Sequence, residues 1–130
     1  MRVIVTGCRF VSTNDAEKIV RPVINSLVKA GVRIVVGDCK SGVDEITWDM
    51  RGLIEPEVWI ADWKTFGKAA GPKRNQAMVD SGADLCIAFP SKGSTGTIDC
   101  VERAKAAGIP VVGHFLNDEQ LSLFDESEFS

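Results

Sequence analysis

The chain has 130 residues, 45% of them hydrophobic and 25% charged, which is one domain's worth of chain with enough apolar material for one core, and this excludes a mostly disordered protein. No apolar run reaches the roughly 18–20 residues that a bilayer-crossing helix needs, and MRVIVTGCRF is interrupted too early to serve as a secretory signal, so a cytoplasmic location without a membrane partner is expected. The net charge of −3 is unevenly divided: residues 1–114 hold 15 bases and 13 acids, whereas residues 115–130 hold five acids and no base, which marks a folded body over 1–114 and an acidic tail over 115–130.

In chain order, Arg2–Thr6 reads as a buried strand ended by Gly7. A helix is expected from about Asn14, which stands at capping-box spacing from Glu17, with Ile19, Val20, Val23, Ile24, Leu27 and Val28 at helical spacing and Gly31 closing it. Pro22 inside that pattern predicts a kink or an offset start. Val32–Val36 is a second strand ended by Gly37, Val43–Leu53 a second helix, and Glu57–Ile60 a short third strand. Ala61–Gly71 reads as a polar loop, and Pro72 as the first residue of a third helix that runs to about Ser81. Asp84–Phe89 is a fourth strand, Pro90–Gly96 a loop, Thr97–Ala107 a fourth helix and Ile109–Gly113 a fifth strand.

Near-continuous apolar strands alternating with helices predict an α/β fold: a Rossmann-like, doubly wound, parallel five-stranded sheet with helices on both faces, followed by the C-terminal acidic tail. In such sheets ligands bind beyond the carboxyl ends of the strands. The loops placed there carry Arg9, Lys40, Lys64, Lys68, Lys73, Arg74 and Lys92, together with Gly7, Gly37, Gly42, Gly67, Gly71, Gly93 and Gly96. Cations and close-approaching backbone on one rim of a nearly neutral body imply an anionic ligand, most simply a phosphate.

Lys92-Gly93-Ser94-Thr95-Gly96-Thr97 follows an apolar strand and opens a helix, so its amides and its three hydroxyls can donate to one phosphate; the plainer alternative is a loop with hydroxyl caps. Gly37 to Asp44 lacks the Lys-Ser/Thr pair of a Walker A loop, and no GxGxxG follows the first strand, so neither an ATPase nor a classical dinucleotide site is expected. Asp38, Asp44, Asp62 and Asp99 are the carboxylates that reach the rim. Asp44 and Asp99 read either as helix caps or as groups for ribose hydroxyls or acid/base work. Trp63 and Phe66 stand beside Lys64 and Lys68, an arrangement suited either to stacking on a base or to packing on the body. Cys8 and Cys39 follow the first two strands and are small packing residues or reactive thiols. With Cys86 and Cys100 they form no CxxC pair, and His114 is the single histidine, so neither a disulfide framework nor a metal site is expected, and no cofactor is required.

Taken together, Thr6-Gly7-Cys8-Arg9, Gly42-Val43-Asp44, Ala61-Asp62-Trp63, the run Gly67-Lys68-Ala69-Ala70-Gly71-Pro72-Lys73-Arg74-Asn75 with Met78, and Gly96-Thr97 resemble the YspA-like branch of the SLOG superfamily over about residues 1–113. That superfamily includes the LOG phosphoribohydrolases and the DprA DNA-processing proteins. The resemblance implies a Rossmann-like fold that binds nucleotides or nucleotide-derived ligands at this rim, with Arg74 similar to the arginine that faces the ligand. The PGGxGTxxE motif of the LOG enzymes aligns with Lys92 to Cys100. Ser94 replaces its second glycine and Cys100 its glutamate, so that any N-glycosidase activity would fall to Asp99 or Asp44.

In the tail, Gln120-Leu121-Ser122-Leu123-Phe124 resembles the consensus pentapeptide by which bacterial DNA polymerases and repair proteins bind the sliding clamp. The alternative is a terminal segment that packs Leu121, Leu123 and Phe124 on the body. The leading expectation is a binding protein that recognises a phosphorylated nucleoside or a derivative and is tethered to the clamp in DNA replication. A nucleoside-monophosphate N-glycosidase and a DprA-like single-stranded DNA-binding module are the alternatives, and a homodimer is compatible with each. The body's charge of +2 is small for a DNA binder.

Overall fold

The strands form where the sequence is continuously apolar, and they lie side by side. The computed structural model describes residues 1–7, 13–37, 56–89 and 95–113, the first five of the second stretch by their backbone alone. Strands β1 (Arg2–Gly7), β2 (Arg33–Gly37), β3 (Glu57–Trp59), β4 (Leu85–Phe89) and β5 (Val111–Gly113) form a sheet of order β3-β2-β1-β4-β5. Every pairing is parallel, with Val3 opposite Ile34 and Leu85, and Gly7 opposite Phe89. This is the expected five-stranded, Rossmann-like parallel sheet.

Side chains alternate across the pleat, so each strand feeds two cores. Val3, Val5, Ile34, Ile87 and Phe89 meet Val20 and Ile24 of helix α1 (Thr13–Lys29) on one face. Ile4, Val35, Cys86 and Ala88 turn to the other face, where Met78 and Val79 of α3 (Ala70–Asp80) and Cys100, Val101 and Ala104 of α4 (Thr95–Ala106) cover them. Phe89, Ile4 and Ile24 are fully buried, each contributing about 1.5–3 kcal/mol of transfer free energy. Helices therefore cover both faces of the sheet. The helix expected over Val43–Leu53 lies outside the described residues. Among the described residues no helix is long and apolar enough to cross a membrane.

The local expectations are corrected in four places. Helix α1 begins at Thr13, so Asn14 lies inside its first turn and is not the cap, and the helix passes through Pro22 unbroken, without an offset start. Pro22 costs one amide, but its carbonyl accepts from the Ser26 hydroxyl at 3.0 Å. The expected loop over Ala61–Gly71 instead holds the short helix α2 (Trp63–Phe66) and a 3₁₀ turn (Gly67–Ala69). Asp62 caps α2 by accepting from the Thr65 amide at 3.1 Å, and that bond organises a turn whose composition reads as loop. Helix α3 starts at Ala70 rather than Pro72, which is tolerated because the amides of a first turn have no intrahelical acceptor. For the same reason α4 starts at Thr95, drawing Thr95 and Gly96 into the helix. Gly31 does close α1: at φ +72° it donates to Val28 O at 3.0 Å while Val32 donates to Leu27 O at 3.3 Å, the paired bonds of a Schellman ending.

The amino edge of the sheet is clasped by one side chain. The Arg2 guanidinium donates to Gly82 O and Ser81 Oγ, both at 2.8 Å, and holds both carboxylate oxygens of Glu57, the nearer at 2.7 Å. Its amide donates to Asp84 Oδ2 at 2.8 Å. The bonds from Arg2 and from Trp59 Nε1 hold the Glu57 carboxyl below its ordinary range. This clasp ties β3 to β1 over β2 and leaves the opposite, carboxyl edge for other work.

Candidate functional site at the carboxyl edge

The sheet order creates a topological switch at β1. The chain proceeds from β1 outward to β2 and β3, then returns to place β4 on the other side of β1. Helix α1, which follows β1, and α4, which follows β4, cover opposite faces of the sheet, and the carboxyl ends at Gly7 and Phe89 stand side by side, the position at which open α/β sheets bind ligands in a crevice. Helix α4 follows β4 and presents its amino end there, with the free amides and positive dipole end that favour an anion.

A polar string fixes the first turns of α4 against α3. Asn75 is 4% exposed, and its Nδ2 donates to Gly96 O at 3.3 Å and to Asp99 Oδ2 at 3.0 Å. Its Oδ1 accepts from Arg74 Nε at 3.1 Å. Arg103, one turn beyond Asp99 on α4, donates from Nε to the same Oδ2 at 2.9 Å and from Nη1 to Gln76 Oε1 at 2.9 Å. Asp99 is thus the fifth residue of its helix rather than a cap, and its Oδ2 is already engaged by two donors.

Thr97 is the other described polar side chain buried in this region, 3% exposed, and its Oγ1 has no hydrogen-bond partner among the described residues. Cys100, three residues on and on the same helical face, meets the Thr6 hydroxyl near the end of β1. That relation sets Thr97 one turn nearer the crevice. Leaving a buried hydroxyl unpaired costs about 1–3 kcal/mol. Beneath it the Cys86 and Cys100 thiols are buried and reduced, and contact with Cys100, followed by burial, pushes the Cys86 thiol far above its ordinary range.

The aromatic part of the rim is built on Gly71. A Cβ at Gly71 would stand 3.2 Å from Trp63 Cη2, a tight contact that the glycine relieves, so the indole settles close to the α3 backbone. Trp63 and Phe66 are exposed, and Lys73 Nζ lies 4.8 Å from the Phe66 ring centroid. Lys64, Lys68 and Lys73 are exposed, and Arg74 is half-buried.

Of the residues singled out from sequence, Asp62, Trp63, Lys68, Arg74, Asn75, Thr95, Gly96, Thr97 and Asp99 lie on α2, α3, α4 or the turns joining them. Gly7 ends β1 and Gly37 ends β2, opposite Trp59. One oxygen of the exposed Asp62 carboxylate accepts the capping bond of α2. Cys8, Arg9, Asp38, Gly42, Asp44, Gly93, Ser94 and the pentapeptide Gln120 to Phe124 lie outside the described residues, as do Cys39, Lys40, Lys92 and the boundary at His114. Gln76 and Arg103 were missed as supports of the site. The four-residue spacing of Asp99 and Arg103 was the available signal, whereas Gln76 carried none.

No family model matches the chain, and no solved structure matches it. The Gene 61 protein of Mycobacterium phage D29 is 39% identical to it over 120 residues, an alignment that covers 85% of this chain and 94% of the phage protein. At that identity over nearly the whole of the relative, the chain belongs to the family of the phage D29 Gene 61 protein.

Proposed function

We propose that the protein binds a phosphorylated nucleoside, or a ligand derived from a nucleotide, in the crevice beyond β1 and β4, and that its tail docks on the DNA sliding clamp. The observation that carries the ligand half is the buried, unpartnered Oγ1 of Thr97 in the first turn of α4. A buried hydroxyl without a partner among the described residues is stabilised when a ligand oxygen supplies the bond. Gly96 adds support: its φ is not positive and a Cβ there would meet nothing within 4 Å among the described residues. A glycine in that turn lets a ligand approach the helix end closely. Arg74 and the nearby lysines supply the charge.

The same geometry favours binding over hydrolysis. The Asp99 oxygen that faces Asn75 is held in an ion pair with Arg103, an arrangement suited to orienting a helix rather than to carrying a proton. Thermal-shift titration with nucleoside mono- and diphosphates tests the ligand half: stabilisation is expected in the wild type and is lost in Thr97→Val. Absence of a shift across the whole panel overturns it. Chromatography of the same mixtures for free base separates binding from glycosidase action.

The clamp half rests on the five residues Gln120 to Phe124 in an acidic stretch with apolar anchors. Pull-down by a bacterial sliding clamp is expected, and Leu123→Ala with Phe124→Ala should abolish it. Capture that is indifferent to the double substitution removes this half.

A further inference from the structure

We infer that Trp63 is the base-recognition element of the site, so that the ligand is a nucleoside phosphate and not a bare sugar phosphate or inorganic phosphate; this rests on the phosphate-site reading above. Three relations bring the indole and the α4 amino end to one rim. Trp63 abuts Gly71 in the first turn of α3. Gly71 precedes Asn75 by one turn, about 6 Å along the helix. Asn75 is bonded to Gly96 O at the start of α4. The aromatic group and the anion-attracting helix end are therefore held by the same short segment of α3.

The indole leans its benzo end on α3: Cη2 comes nearest to the position of a Gly71 Cβ, at 3.2 Å, with Cζ2 and Cζ3 at 3.8 and 4.0 Å, and the residue is 49% exposed. A half-exposed aromatic group held at one end offers flat surface at low entropic cost to a planar partner. Phe66 is differently employed, since Lys73 sits over its ring and adds positive charge to the rim. Between Ala61 and Val79 the cations Lys64, Lys68, Lys73 and Arg74 face a single carboxylate, Asp62, so a planar partner that also carries phosphate suits both the ring and the field.

The test is calorimetric titration of the full chain with AMP, GMP, ribose 5-phosphate and inorganic phosphate, in the wild type and in Trp63→Ala, Trp63→Phe and Thr97→Val. The expected result is wild-type affinity for the nucleotides at least tenfold above that for ribose 5-phosphate, a preference that Trp63→Ala erases and Trp63→Phe largely keeps. Ribose 5-phosphate and phosphate should bind Trp63→Ala as they bind the wild type, which also reports that the variant is folded. Nucleotide affinity unchanged in Trp63→Ala, or ribose 5-phosphate bound as tightly as AMP by the wild type, overturns the base-recognition role and leaves the phosphate site standing. Failure of all four probes to bind the wild type, or equal binding by Thr97→Val, overturns the phosphate site and this inference with it.

Discussion

Asn75 on α3 donates its Nδ2 to the Gly96 carbonyl on α4 across 3.3 Å, so a side chain of one helix sets the first turn of the next. The carboxamide is buried, and its remaining bonds run to Asp99 and Arg74. Asn75→Ala should cost about 1–3 kcal/mol, read as a lowered thermal midpoint. Asn75→Asp should cost more, because it sets a carboxylate against both Asp99 and a carbonyl. A midpoint unchanged in both variants would show that the string between α3 and α4 contributes nothing to stability.

Thr97→Val is predicted to act oppositely on fold and on function. Valine keeps the shape and removes a buried hydroxyl without a partner, so stability should hold or rise by about 1 kcal/mol in chemical denaturation. The nucleotide-induced shift should disappear, and Thr97→Ser should retain it. Marked destabilisation by valine would mean that the hydroxyl has a partner within the chain.

Glu57 gives the fold an acid-sensitive contact. Its folded pKa lies below the ordinary value of 4.5 because Arg2 and Trp59 donate to it. Below 4.5 the unfolded chain takes up a proton at this group before the folded one does, so the stabilisation is present above 4.5 and is lost as pH falls through the folded value. Glu57→Gln should be less stable than the wild type at pH 7 by about 0.5–1.5 kcal/mol. The difference should close below that window. A constant difference between pH 7 and 3 would refute the assignment.

Gly31 and Gly96 should respond differently to alanine. Gly31 sits at φ +72° with nothing near its would-be Cβ, so Gly31→Ala should cost about 1 kcal/mol through the backbone alone. Gly96 lies in a helix with no steric neighbour among the described residues, so Gly96→Ala should leave denaturation midpoints unchanged or raise them while weakening nucleotide binding. Equal nucleotide affinity for Gly96→Ala would place the ligand elsewhere.

The strands were legible because runs such as Val3–Val5 and Cys86–Phe89 are apolar without interruption, and such runs are buried on both faces of a parallel sheet. Helix α2 was not, because it is a single turn whose capping carboxylate sits inside a polar, glycine-containing stretch. The starts of α3 and α4 were placed two residues late, since a first helical turn makes few demands on sequence. At the site, the residue types at the rim could be read from the chain, but their employment could not. Asp99 looked available for chemistry until Arg103 and Asn75 were seen to hold it. The Arg2–Glu57 clasp joins positions 55 residues apart, and no local pattern announces such a pair.

The central place of β1 has a consequence for synthesis. Val3 pairs with Ile34 on one side and with Leu85 on the other. On the ribosome the first partner emerges early, whereas the second arrives only after some fifty more residues have been translated. Until then one edge of β1 has no strand to pair with. Holding that edge apart from other chains is a task for a chaperone bound near the exit tunnel, and chains released before Leu85 should aggregate where the full-length chain does not.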